Sequence, residues 1–266
     1  MRALFLTTSV TVVLALSGCS YDEAGTASVS SQVNEKSVPD YAAAVAATGR
    51  TEADIKLDES RKPAEILAFM GLQRGDAALD IFAGGGYYSE IMGAAVGTAG
   101  SVVAVNPPQF VSSDAAKAKW SGIATRQMGV TMVPSQLADF EPQANRFDFA
   151  MMHLIFHDLY WESEQFKMAR MDPAVFLSKL YNSMKPGGIV AVIDHVGNQG
   201  DTRAIVEKTH RIAPATTQAD FEKAGFILET QSNMFANPND DLEKNVFDSS
   251  VRGKTNRFVM KFRKPT

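Results

Sequence analysis

The stretch ALDIFAGGGYYSE, residues 78–90, decides how the chain is read. An apolar run leads into Asp80 and ends at Phe82; three consecutive glycines follow, then two tyrosines. From Tyr87 to Val96 apolar residues recur at helical spacing: Tyr88, Ile91, Met92, Ala95 and Val96. The pattern is strand, glycine turn, helix. Glycine admits positive φ and lets a ligand approach the backbone. The start of a helix presents unpaired N–H groups and partial positive charge, which favour a carboxylate or phosphate. Three glycines in a row exceed what a tight strand-to-helix turn needs.

The same alternation continues on both sides. PAEILAFM (63–70) places Ile66, Phe69 and Met70 on one helical face, with Pro63 in the first turn and Gly71 at the end. Strands are expected at AALDIF (77–82), SVVAV (101–105), GVTMV (129–133), RFDFAMM (146–152) and IVAVID (189–194). Helices are expected at about 114–126, from Pro173 through Met184 behind the cap Asp172, and at 216–224. FILETQS and RFVMKF close the chain as two strands with no helix between them. Near-continuous apolar strands alternating with helices imply a sheet covered on both faces. The fold class is therefore α/β: a doubly wound, mostly parallel sheet with an antiparallel C-terminal edge pair. In such sheets ligands sit at the carboxyl ends of the strands, where the strand order reverses.

Two loop patterns compete at residues 80–89. The dinucleotide fingerprint G-x-G-x-x-G fits in part, with Ser89 where the third glycine belongs. The pattern D-x-G-x-G-x-G is met by Asp80, Phe82, Gly84 and Gly86, with Phe82 in place of the first glycine. LYNSMKPGGIVAVID supplies a second landmark, Lys-Pro-Gly-Gly ahead of the fifth strand. On these two motifs, in this order and spacing, residues 58 to 264 resemble the class I S-adenosylmethionine-dependent methyltransferases. More narrowly, RKPAEILAFMGL, GGGYYSE, HDLYW, IDH, HRI and RGKTNRFVMKFRKP resemble a group of predicted bacterial methyltransferases. The resemblance implies a Rossmann-like methyltransferase fold and S-adenosyl-L-methionine as cofactor. It implies that Asp80 orients the loop and the cofactor's ammonium, and that Gly84, Gly85 and Gly86 turn backbone toward its methionyl part. Phe82 brings a ring where the family has none. Asn106, at the end of the second strand, stands where the family's acid accepts the ribose hydroxyls; Asp139 is the candidate for the adenine amino group. NPPQF (106–110) follows the second strand rather than the fourth, so its likeness to amino-methylating DNA enzymes is coincidental.

Methyl transfer requires alignment of donor and acceptor, and in some cases a base. All four histidines fall near predicted strand ends or in loops on the ligand side: His153 and His157 with Asp158, then Asp194-His195, then His210. His157, His195, Asp158 and His210 are the catalytic candidates, because imidazole titrates near neutrality. His153 and His157 are four apart, but H-E-x-x-H is absent and no metal is expected. Tyr87, Tyr88 and Trp161 are available for cation–π contact with a sulfonium.

The N-terminus points elsewhere. Arg2 precedes an apolar run to Leu16, too short to span a bilayer but right for a signal-peptide core. Leu16-Ser17-Gly18-Cys19 resembles a bacterial lipobox, which implies a signal peptide over 1–19, a lipidated Cys19 and a membrane tether. Ser20 after the cysteine implies the outer membrane, with the protein exported to the periplasmic face. Residues 20–45 are expected to be a flexible tether and 46–266 the methyltransferase-like domain. Cys19 is the single cysteine, so no intrachain disulfide or cysteine metal site forms. The net charge of −4 argues against nucleic acid as partner, leaving a small-molecule substrate. Oligomeric state is open. S-adenosylmethionine does not cross a bilayer unaided, so a second reading stands beside the enzyme: a tethered, non-catalytic small-ligand-binding protein, favoured by Phe82 and Asn106. A hydride-transfer enzyme ranks third.

Overall fold

The structure is a computed structural model and describes residues 36–266. The expected signal peptide, Cys19 and the expected tether as far as residue 35 lie outside the described residues. Seven strands form one sheet: β1 (Ala77–Ile81), β2 (Ser101–Asn106), β3 (Val130–Pro134), β4 (Phe147–His153), β5 (Met184–His195), β6 (Ile227–Ser232) and β7 (Arg257–Arg263). Their order is β3-β2-β1-β4-β5-β7-β6. β1 to β5 pair in parallel, and β7 runs antiparallel between β5 and β6. This is the doubly wound sheet with an antiparallel edge pair that the alternation predicts.

The helices are α1 (Tyr41–Val45), α2 (Glu52–Ile55), α3 (Asp58–Arg61), α4 (Pro63–Met70), α5 (Tyr87–Val96), α6 (Asp114–Arg126), α7 (Pro173–Ser183), α8 (Thr202–Thr209) and α9 (Pro214–Lys223). Successive strand residues point to opposite faces, and each face builds a core. Ala78, Val102, Ala104, Phe149, Met151 and Ile193 pack beneath α4, α5 and α6. Leu79, Ile81, Val105, Ala150, Met152 and Val192 pack beneath α7 and α9.

Three features differ from the sequence reading. Residues 36–45, assigned to the tether, belong to the folded unit. Lys36 pairs with Asp76 and Asp148 at 2.8 and 2.5 Å, Tyr41 Oη donates to the Leu72 carbonyl, and Asp40 caps α1. α8 was not predicted: its apolar residues are too few to show a period, and only its cap Asp201, which accepts from the Arg203 and Ala204 N–H groups, marks it. Lys185-Pro186-Gly187-Gly188 is not a plain turn. Met184 already pairs with Phe147 and Ile189 with Phe149, so the four residues loop out as an irregularity within β5.

Candidate functional site

The strand order reverses between β1 and β4, and the glycine loop lies at that point. Asp80 is buried near the end of β1 and accepts from the Ser89 hydroxyl at 2.5 Å. Burial raises its pKa to about 7, against the two hydrogen bonds from Ser89. The three glycines do different work. Gly86 (φ +81) is buried, and a Cβ there would lie 2.6 Å from Ile123 Cδ1 and 3.0 Å from Trp120, so it is a packing glycine. Gly84 (φ +56) is exposed and a Cβ there would meet nothing within 4 Å. Gly85 faces only Lys119, whose Nζ would lie 3.0 Å away. Phe82 sits in the left-handed region (φ +53), where the motif asks for glycine, with its ring 5.1 Å from that of Phe110.

Beside the loop is a cleft of about 350 Å³, lined by Asp80, Phe82, Gly84, Gly85, Tyr88 and His153, and by Asp54, Leu57, Arg61 and Lys119. Lys119 Nζ lies 2.8 Å from Asp54. Arg61 stacks 4.3 Å over the Tyr87 ring. Asp58 ties the near wall together, accepting two hydrogen bonds from Arg50 and one from Tyr87 Oη. The His153 ring lies 4.8 Å from Tyr88, and its Nε2 is buried without a partner. Burial, with Arg61 and Arg257 nearby, keeps it neutral, its pKa well below the usual value. Leu154, the next residue, is also in the left-handed region (φ +60). A bulky residue held there is strained, and such residues gather at functional sites. The cleft thus offers a buried carboxylate, two cationic side chains, an unpartnered imidazole and open backbone, a lining suited to a zwitterion. Arg61, Lys119 and Asp54 escaped the sequence reading because helices of four residues show no period and α6 is largely polar.

Two cofactor candidates have other tasks. Asn106 is fully buried; its Oδ1 accepts from the Gly84 N–H at 2.7 Å, and its Nδ2 has no partner. It braces the glycine loop from beneath instead of presenting an acceptor to a ribose. Asp139 is exposed and borders a different cavity, of about 340 Å³, with Val105 and Phe147. Leu137 and Phe140 bury into the core beneath α7 and turn Asp139 outward, so it does not meet the loop.

The histidines converge at the ends of β4 and β5. His157 shares its Nδ1 proton with Asp194 Oδ1 at 2.8 Å, and its backbone N–H donates to Asp194 Oδ2 at 2.9 Å. Its Nε2 lies 3.4 Å from Asp158 Oδ1, and His210 Nδ1 lies 3.9 Å from the same oxygen. Burial opposes charge on His157, yet Asp194 and Asp158 together push its pKa to about 9. A pKa of about 9 favours the imidazolium at neutral pH. Burial brings His195 down to about 3, and its Nδ1 is bonded to Thr255 Oγ1 at 2.8 Å. Burial and the charge on His157 bring His210 down to about 4, and burial raises Asp158 to about 6. The structure therefore brings His157, Asp158 and His210 into one cluster, with His195 beside it.

Comparison with solved structures finds the same architecture. A SAM-dependent methyltransferase from Aquifex aeolicus superposes with a TM-score of 0.55 at 20% identity, covering 80% of this chain and 93% of that one. The chain has the methyltransferase fold. A Haloferax volcanii methyltransferase solved with the Trm112 activator matches with a TM-score of 0.56 at 16% identity, over 86% of this chain and 99% of that one. The [4+2]-cyclase SpnF shares the fold too, with a TM-score of 0.52 at 17% identity, over 80% of this chain and 81% of that one. No family model and no curated protein matches the sequence. In this methyltransferase fold the glycine loop and the histidine cluster occupy the carboxyl ends of neighbouring strands, where ligands bind.

Proposed function

We propose that the chain binds S-adenosyl-L-methionine and transfers its methyl group to a small-molecule acceptor. A single observation carries this reading: at the switch point, a cleft brings the buried Asp80 carboxylate, the open backbone of Gly84 and the cations of Arg61 and Lys119 together. Those residues fit the group. Asp80 would hold the ammonium, while Arg61 and Lys119 would hold the carboxylate. Arg61 and Lys119 are partly exposed and screened by solvent, so each such contact is worth about 0.2–1 kcal/mol. Bound there, the cofactor supplies an electrophilic methyl on a sulfonium. Tyr88 closes the floor, the His153 ring packs against it at a tilt, and both exclude water from that end. His153, neutral and in the lining of the cleft, is the imidazole that would stand beside an acceptor there.

The fold alone does not fix the chemistry, as its occurrence in a cyclase illustrates. Calorimetric titration of the purified chain with S-adenosylmethionine tests the reading. One site per chain is expected, lost in Asp80→Ala. A folded chain that gives no heat overturns the reading. Methyl-labelled cofactor and a small-molecule extract then report transfer; binding without transfer is the behaviour of a receptor. We further propose that Cys19 carries the lipid anchor of an exported lipoprotein, on the strength of the Leu-Ser-Gly-Cys motif. Palmitate labelling that survives Cys19→Ala would overturn that assignment.

A further inference from the structure

We propose that His157, Asp158 and His210 form a binding site for a borderline first-row divalent cation such as Zn²⁺ or Fe²⁺. One donor atom from each of the three lies within 4.8 Å of the others, and this is the one such group among the described residues. A cation bound at about 2.0–2.2 Å holds its ligand atoms roughly 3–3.5 Å apart. The distances of 3.4 and 3.9 Å to Asp158 Oδ1 are within about 0.5 Å of that spacing, and the two imidazoles, no more than 4.8 Å apart at their ligand atoms, close on a cation by side-chain tilts of about 1 Å.

The surroundings favour a metal over a bare ion pair. Asp194 holds His157 by Nδ1 and by its backbone N–H, which directs Nε2 at Asp158 and His210. A carboxylate behind a ligating imidazole is the usual way to fix its tautomer and orientation. His210 is held in the left-handed conformation, φ +50 and ψ +47, at the end of α8. The next residue, Arg211, is anchored by a fully buried pair with Asp240 at 2.6 Å. The ligands thus come from two separate chain segments, each braced from outside the cluster.

Charge points the same way. Asp194 is wholly buried and Asp158 is largely so, while Arg211 is already neutralised by Asp240. A divalent cation held between Nε2 of His157, Asp158 and His210 would supply positive charge beside the Asp194 and Asp158 carboxylates. Two imidazoles and one carboxylate suit Zn²⁺, Fe²⁺ or Co²⁺ better than Mg²⁺ or Ca²⁺. Three protein ligands leave further positions for water or for an acceptor oxygen. No local motif announces the site, because His210 is far from Asp158 in sequence.

Titration of the purified chain with Co²⁺ alone tests the proposal independently of methyl transfer. Expected is a visible d–d spectrum saturating at one ion per chain, with displacement by Zn²⁺. Asp158→Asn and His210→Asn should each abolish it; asparagine tolerates the left-handed backbone, so His210→Asn keeps the fold. Asp194→Asn should weaken binding about tenfold or more. His153→Gln, which alters the cofactor cleft, should leave the spectrum unchanged. A folded wild-type chain with no Co²⁺ spectrum, or the same spectrum in His210→Asn, overturns the site.

Discussion

Gly84 and Gly86 are two residues apart and share a positive φ, yet they answer to different forces. A Cβ at Gly86 would strike Ile123 and Trp120, whereas one at Gly84 enters open space. Gly86→Ala should therefore cost roughly 2–5 kcal/mol from clash and backbone strain together, seen as a fall in melting temperature. Gly84→Ala should cost roughly 1–2 kcal/mol and stay folded, while calorimetry shows loss of cofactor binding. Asp80 gives a pH signature. Its folded pKa of about 7 lies above the unfolded value, so the neutral acid stabilises the native state at low pH. That contribution is fully present below about pH 4 and is lost as pH rises through 7, by up to about 1.4 kcal/mol per unit. Melting curves of Asp80→Asn should lack this slope. Cofactor affinity, needing the carboxylate, should rise between pH 6 and 8. At this scale Asp80, Phe82 and the glycines were legible because chain order alone places them. The brace made by Asn106 was not, since its partner Gly84 is brought to it only by the pairing of β1 with β2.

The sequence reading located every strand and the long helices, because their apolar periods repeat over enough residues to register. α1, α2 and α3 were not legible: none exceeds five residues, and each is held by other means, α1 by its cap Asp40 and packing on α4 and α5, α2 by its cap Thr51 and the Asp54–Lys119 pair, and α3 by the bond from Tyr87 Oη to Asp58. Asp58 is the hub of that segment, bonded to Arg50 and to Tyr87 Oη. Burial opposes its charge, but those partners hold its carboxyl below the usual range. Asp58→Ala leaves the buried Arg50 guanidinium without its carboxylate, costing about 1–3 kcal/mol. Hydrogen exchange across residues 41–61 should accelerate about ten- to a hundredfold, while the amides of β1, β4 and β5 keep their protection. Because Asp54, Leu57 and Arg61 wall the cleft from this segment, cofactor affinity should fall in the same variant. Uniform protection across 41–61 would show that the short helices stand without the hub.

Across the whole molecule, the long connection from β6 to β7 is pinned to the body by one ion pair with buried side chains, beside the exposed Lys208–Glu243 pair. The side chains of Arg211 and Asp240 are both fully buried, and Asp240 also accepts from the Asn256 N–H. Asp240→Ala strands a buried guanidinium and should cost about 3–5 kcal/mol, measured by urea denaturation. Neither partner could be matched from sequence, since they lie on segments that meet only when β7 inserts between β5 and β6. The placement of Lys36 carries a practical consequence. It grips Asp76 and Asp148 at the amino-terminal ends of β1 and β4, whereas the cleft opens where those strands finish. The polypeptide therefore enters this unit from the rear. A fluorescent fusion or affinity handle joined directly ahead of Lys36 should leave ligand access untouched.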